Sequence, residues 1–130
     1  RLVNEYLQPP KLRSRMELGL ERFAEIRGDL AHLCARDPHE LMRAMEVQSI
    51  LDCAEMAATA SLYRTESRWG LYHHCVDHPE TDNENWFCHV QLKKDAQGAM
   101  ACFKRPIQPY IVELAESEKD AYNRLRIAKS

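Results

Sequence analysis

Between Lys11 and Ala35 the apolar residues Met16, Leu20, Phe23, Leu30 and Leu33 recur at helical steps, with Leu18 and Ile26 nearby. Glu17, Glu21, Arg22 and Glu25 fill the positions between them. This spacing predicts an amphipathic helix with one buried face. The pattern stops at Arg36-Asp37-Pro38. There Asp37 can cap a new helix, Pro38 suits its first position, and Glu40 completes a capping-box arrangement at the third. The second helix is expected from Pro38 to Tyr63. Its inner stripe reads Leu41, Met45, Gln48, Leu51 or Cys53, Glu55 and Ala58, widened by Val47, Ile50, Ala54, Ala57, Ser61 and Leu62. The small residues Ala54, Ala57, Ala58, Ala60 and Ser61 let a neighbour approach closely, and a tight corner predicts antiparallel packing of the two helices. Two helices cover only one face of each other, so a third partner is required: either the chain's own tail or a helix missing from the N-terminal side. Arg43, Glu46 and Glu55 lie on or beside the stripe, with His39 near its start, and are read as exposed at its edge, because burying an unpaired charge is costly.

After Tyr63 the period is lost. Arg64-Thr65-Glu66-Ser67-Arg68-Trp69-Gly70-Leu71-Tyr72-His73-His74-Cys75-Val76-Asp77-His78-Pro79 crowds charged, aromatic and imidazole groups into one loop, and loops that carry so many polar groups tend to mark sites or interfaces. A solvated turn from Pro79 to Asn85 closes it. Trp86 to Leu92 and Ala99 to Lys104 then read as the two strands of a hairpin, joined by a turn over Lys93 to Gly98 in which Gly98 can take positive φ. Pro106 and Pro109 restrict the next run to an edge or an extended arm. Residues 113–130 show weak helical spacing through Leu114, Ala121, Leu125 and Ala128, which leaves a docking helix and a frayed end both open. The predicted fold is mainly α: an antiparallel helical bundle of two long helices, with a third in the tail as an option, plus the loop and a small β-hairpin. Residues 1–112 form the domain and 113–130 the tail or docking helix.

At 130 residues the chain holds one modest core. It begins at Arg1 without a signal-peptide pattern and reads as a piece of something longer. A net charge of -2, from 18 basic and 20 acidic side chains, provides no electrostatic footprint for nucleic acid. No apolar run approaches the ~20 residues of a membrane span, so a soluble protein is expected. Cys34, Cys53, Cys75, Cys88 and Cys102 are odd in number and never arranged as C-x-x-C. That pattern favours a reducing, cytoplasmic compartment over a secreted disulfide framework. Cys34 and Cys53 are expected to be small buried hydrophobes within helices.

The sharpest chemical candidate is a metal site from His73, His74, Cys75, Asp77 and His78, with Cys88 or His89 joining across the loop, since imidazole, thiolate and carboxylate suit zinc. Adjacent ligands diverge, however, and no pair has the spacing that clamps one ion, so loop histidines paired with Asp77, Glu80 or water are the stronger reading. Cys75 beside a histidine suggests an activated thiol, without an orienting group or oxyanion hole to support it. Arg64, Glu66 and Arg68 read best as alternating charges that fix the loop by bidentate Arg–carboxylate bonds. The four glycines, Gly19, Gly28, Gly70 and Gly98, stand isolated, so the chain has no glycine-rich phosphate loop.

In order along the chain, His39-Glu40-Leu41-Met42-Arg43-Ala44-Met45-Glu46-Val47, Thr65-Glu66-Ser67-Arg68-Trp69, Asp77 with Pro79, Asp82, and Trp86-Phe87-Cys88 resemble the C-terminal domain of flavoprotein subunits of the fumarate reductase and succinate dehydrogenase superfamily. The likeness covers about Tyr6 to Tyr110. Trp69 directly after Arg68, the spacing from Arg68 to Asp77, and Phe103-Lys104-Arg105-Pro106 after the hairpin look most like the adenylylsulfate reductase alpha subunit. Where the family commonly has an arginine two residues before the aspartate, this chain has Cys75. The resemblance implies an FAD-dependent oxidoreductase whose flavin sits in a preceding domain of the parent chain, with no cofactor bound by this fragment. Catalytic arginines and histidines would precede this region, so no catalytic residue carries over. It implies a structural and subunit-contact domain that packs on the flavin-binding domain and helps form the surface for an iron–sulfur subunit in electron transfer. Arg64, Glu66, Arg68, Trp69, His73 and Asp77 are the candidates for that contact or for shaping the loop. The alternatives are a free-standing module holding a transition metal in the His73–His78 loop, and a small thiol-dependent enzyme using Cys75.

Overall fold

The computed structural model describes residues 1–107. Four α-helices, α1 (Leu2–Leu7), α2 (Arg13–Leu30), α3 (Pro38–Tyr63) and α4 (Asn83–Trp86), precede a two-stranded antiparallel sheet of β1 (Cys88–Lys94) and β2 (Met100–Pro106). A single 3-10 turn, Gly70–Tyr72, lies within the charged loop. The mainly helical architecture with a small hairpin is the one the sequence pattern predicts. The tail over 113–130, its boundary at 112 and Pro109 lie outside the described residues.

Helices α2 and α3 run antiparallel: Lys11, just before α2, bonds to Ser61, whereas Arg27 near the end of α2 pairs with Asp52 and Glu55. Phe23 of α2 sits against Leu51, Ala54 and Ala58 of α3, and Leu2, Leu7, Leu20, Ile26 and Leu30 pack around them. Burying a phenylalanine this completely, at 1 % exposure, contributes up to about 3 kcal/mol. The alanines matter because a bulkier residue would hold the phenylalanine ring off the α3 backbone. Helix α1 is an addition to the sequence reading, which places the first helix after Lys11. It docks where Gly19 leaves room, since a Cβ there would stand 2.8 Å from the Cβ of Tyr6.

Helix α2 ends at Leu30, five residues short of the predicted Ala35, and that changes the fate of its neighbour. Gly28 and Asp29 are poor helix formers, and past Leu30 no core residue rewards continuation. Between residues 31 and 50 every side chain except Glu40 and Ala44 is exposed. The predicted inner positions Leu33, Leu41 and Met45 therefore face solvent, and the buried line of α3 is Leu51, Ala54, Ala58 and Ser61. Cys34 and Cys53, expected inside, are exposed. Glu55, read as exposed, is held in the Arg27 pair with its side chain only 16 % exposed.

Local chemistry fixes the element ends. Asp37 accepts from the His39 and Glu40 amides, both at 2.9 Å, which satisfies two orphan donors of α3. Glu40 does not close the expected capping box; it accepts from the Arg36 amide and guanidinium instead. In the hairpin, Cys88 pairs with Pro106 and Lys94 with Met100. Asp95 accepts from the Gln97 and Ala99 amides while Gly98 adopts φ 86°. Trp86 ends α4 rather than opening β1, because the Asp82 side chain caps that turn by accepting from the Asn85 amide.

Candidate functional site

The loop between α3 and the hairpin is built around one buried carboxylate. Glu66 is fully buried and takes a bidentate contact from Arg68, Nε at 2.7 Å and Nη2 at 2.8 Å, while Arg64 pairs with it on the same oxygen. The Asp82 amide donates a fourth bond at 2.9 Å. Arg64 also reaches the carbonyls of Trp86 and Cys88. Two guanidinium groups and one acid thus tie the end of α3, the loop and the start of β1 together, and the satisfied donors offset the desolvation of the charges.

Ser67 is a second hub that sequence reasoning left without a role. Its hydroxyl accepts from the Cys75 amide at 2.8 Å and donates toward the His78 carbonyl at 2.7 Å, its amide donates to Glu80, and its carbonyl accepts from Thr81. A polar residue placed between two charges gives no periodic signal, so only the presence of a hydroxyl at that point hinted at it. Asp77 accepts from the Arg13 amide at 2.7 Å and so caps the first turn of α2 across 64 residues of sequence. Lys11 joins the same seam: its amide donates to His74, its carbonyl accepts from Val76, and its ammonium bonds to Ser61. Burial pulls the Lys11 pKa below its usual range, against the opposing influence of Cys75.

Trp86 stands between the two halves. It meets Tyr63 edge-on at 5.6 Å, donates its indole N–H to Thr65, and has the Lys104 ammonium 3.6 Å from its ring centre and the Arg64 guanidinium at 5.3 Å. Arg68 lies 5.8 Å over Phe87. Beside these rings opens a cavity of about 440 Å³, lined mainly by Ala60, Ser61, Arg64, Arg68, Trp69, Tyr72, His73, Trp86, Phe87, Cys88 and Ile107. At its rim Trp69 is 76 % and Tyr72 82 % exposed. Trp69 holds a left-handed backbone, φ 65°, a conformation that costs a residue with a side chain about 1–2 kcal/mol. His73 lines the wall. Burial first, then the nearby Lys11 and Arg64 charges, lower its pKa to about 4, with Glu66 and a hydrogen bond to the Arg64 backbone acting the other way. The ring is neutral at neutral pH.

The six residues singled out from sequence therefore take different parts. Arg64, Glu66 and Arg68 hold the loop together, the two arginines also lining the cavity, Asp77 ties the loop to α2, and Trp69 and His73 line the cavity. The metal alternative loses its donor set: among the described residues no three His, Cys, Asp or Glu side chains gather to hold an ion. Asp77 is spent on α2, His73 turns to the cavity, and Cys75 is buried. The thiol of Cys75 faces the Asp77 carboxylate at 3.8 Å rather than a histidine, an arrangement without the base a nucleophile needs. Nor do the residues fit FAD. Gly19 and Gly28 lie inside α2, Gly70 and Gly98 in separate turns, and no strand leads through glycines into a helix N-terminus. Among the described residues no helix is long and apolar enough to cross a membrane.

Comparison with known proteins gives this arrangement relatives. The family described as fumarate reductase flavoprotein C-term matches residues 1–121. Adenylylsulfate reductase from the hyperthermophilic Archaeoglobus fulgidus superposes with a TM-score of 0.80 at 32% identity, over 88% of this chain and 18% of that one. An adenosine-5-phosphosulfate reductase in complex with sulfite, as a covalent adduct, matches with the same values. A variant of E. coli quinol fumarate reductase FrdA shares the fold, with a TM-score of 0.69 at 21% identity, over 82% of this chain and 19% of that one. The chain spans about a fifth of the length of these solved chains.

Proposed function

Because the chain belongs to the fumarate reductase flavoprotein C-terminal family, we propose that it is the structural and subunit-contact domain of an FAD-dependent oxidoreductase of the adenylylsulfate reductase or fumarate reductase type. In this reading it holds no flavin and performs no chemistry alone; a preceding flavin-binding domain of the same polypeptide carries both. The observation that carries the proposal is the apolar surface left uncovered on the first half of α3. Leu41, Met42, Met45, Val47 and Ile50 stand between 44 % and 62 % exposed, and Ile50 also walls an apolar groove of about 420 Å³ with Val3, Leu7, Ala54 and Ala57. So much exposed apolar surface suits an interface. Covering five half-exposed side chains is worth about 5 kcal/mol, enough to seat a domain. The occupant we assign is the flavin-binding domain, since α1, the element through which a preceding domain would join, lines the groove, and about four-fifths of each solved relative lies outside the matched region.

The loop supplies the rest of the contact. Glu66, Arg64, Arg68 and Asp77 set its shape, and Trp69 and His73 are presented by it. An iron–sulfur subunit as electron partner and a cytoplasmic location, supported by five free thiols, complete the proposal. The test is the mass and visible absorbance of the native polypeptide, captured with an antibody against this sequence. A yellow chain several times larger is the expected result. A colourless chain of about this fragment's size overturns it.

A further inference from the structure

The described residues leave the cavity beside the loop without a filling. It holds about 440 Å³, and Trp69, Tyr72, Trp86, Phe87 and Ile107 give it ring and aliphatic walls. Water in such a space lies against surface it cannot hydrogen-bond, and the hydrophobic effect works to remove that surface from water. The two guanidinium groups in the wall are committed, Arg68 to Glu66 and Arg64 to Glu66 and two carbonyls. Neither is left to call for an anion. What fits is an apolar segment.

Ile107 shows where that segment can come from. It is the last described residue, it lines the cavity, and it is 43 % exposed. The chain therefore leaves β2 at the cavity's edge. Gln108-Pro109-Tyr110-Ile111-Val112 comes next, and Tyr110 to Val112 is the only run of three consecutive apolar residues between 108 and 130. Pro109 fixes its own φ and biases Gln108 toward extended backbone, which favours the arm that the two prolines predict over a helix running on from β2. Three extended residues span about 10 Å, enough to carry Tyr110 from Ile107 into a cavity of this size. Polarity changes directly afterwards: Glu113 follows Val112. The exposed Arg105 stands opposite His89 of the cavity wall in the hairpin register and supplies a counter-charge there.

We propose that Tyr110-Ile111-Val112 folds back from Ile107 as an extended strap and fills this cavity, the Tyr110 ring lying against the aromatic wall with its hydroxyl at the wet rim, as an amphipathic ring prefers. The strap joins the hairpin to the end of α3 and completes the loop from within the chain. The inference goes beyond the docking reading and does not depend on it. Trp69 and Tyr72, 76 % and 82 % exposed, project past the rim and keep their outer faces for a partner when the cavity is full.

The experiment uses the full native polypeptide with the photoreactive residue p-benzoylphenylalanine in place of Tyr110. Irradiation followed by peptide mass mapping reads where the probe lands. The expected result is capture within one chain, at monomer mass, on the peptides that hold Trp69 to His73 or Trp86 to Val90. A second readout is the alkylation rate of Cys88, a cavity-wall thiol, with the buried Cys75 as the reference for unfolding. Tyr110→Ser together with Ile111→Ser should raise the Cys88 rate several-fold and leave Cys75 unchanged, whereas Leu114→Ser together with Leu125→Ser should change neither. If Cys75 rises with Cys88 in the first pair, the loop has unfolded and the capture result alone decides. Capture on a second copy, on a separate subunit, on the same polypeptide outside residues 1–130, or nowhere on the cavity wall overturns the strap. So does a Cys88 rate that ignores the first pair or rises equally with the second. Neither readout uses a flavin, so a colourless chain would overturn the docking reading and leave this test intact.

Discussion

Replacing Glu66 with glutamine tests whether one buried acid organises the loop. The change keeps size and shape but removes the charge shared by Arg64 and Arg68, whose side chains are only 14 % and 17 % exposed. The glutamine amide would also turn two donor hydrogens toward a site already supplied with guanidinium and Asp82 N–H donors. Removing one member of a buried pair costs about 3–5 kcal/mol, because the remaining charge stays desolvated. For a domain near 100 residues that corresponds to a fall in Tm of more than about 12 °C. Urea and thermal unfolding at neutral pH, followed by circular dichroism, read the change. Glu40→Gln is the matched control: its partner Arg36 is 89 % exposed, so its loss should cost less than about 1 kcal/mol. If the cost at position 66 is as small as at position 40, the reasoning fails.

Protonation of His73 should destabilise the fold on the acid side. Its folded pKa of about 4 lies below the ordinary 6.5, so the unfolded chain takes up the proton first; the contribution is fully present above about pH 6.5 and is lost as pH falls toward 4. After allowance for the partial exposure of the ring the loss is about 1–2 kcal/mol. Urea midpoints between pH 7.5 and 4.5 measure it, and His73→Phe should flatten that part of the profile; an unchanged slope counts against the assignment. Gly19→Ala should detach α1 and cost about 1–3 kcal/mol, since the added methyl meets the Cβ and Cγ of Tyr6 at 2.8 and 3.3 Å. Gly28→Ala, with nothing within 4 Å, should instead stabilise α2 by up to about 1 kcal/mol; equal effects at the two glycines would refute the close-approach argument.

What could be read from the sequence was set by how local the physics is. The Asp37 cap, the turn at Gly98 and the change of period after Tyr63 each depend on residues a few positions apart, and the structure has them. The stripe of α3 was misplaced at its first half because its burial depends on where a different helix stops. Gly28-Asp29 carried a hint of that stop, but the weight of Leu33 in the periodic count hid it. The same division runs through the loop. Arg64, Glu66 and Arg68 are close enough in sequence for their pairing to be legible, while Lys11 and Trp86 reach the loop across separations of 21 to 65 residues and left no pattern. The cavity was invisible for that reason: its walls come from α3, the loop, the start of β1 and Ile107, and no stretch of sequence contains it.

The seam at Lys11 has a consequence for how the protein is made. Lys11 and Arg13 bond to His74, Val76 and Asp77, and Arg64 anchors on Cys88. A chain leaving the ribosome presents Lys11 long before any of those partners exist. Helices α2 and α3 can pair during synthesis through contacts close in sequence, but the loop must wait until β1 has emerged, and long-range closure of this kind is slow. During that interval Arg64, Glu66 and Arg68 remain hydrated and Trp86 has no place to pack. The loop therefore takes shape after α2 and α3, and its completion reports that the helices before it have paired. A translation stall placed before Cys88 would release a nascent chain with its helices formed and its recognition surface still absent.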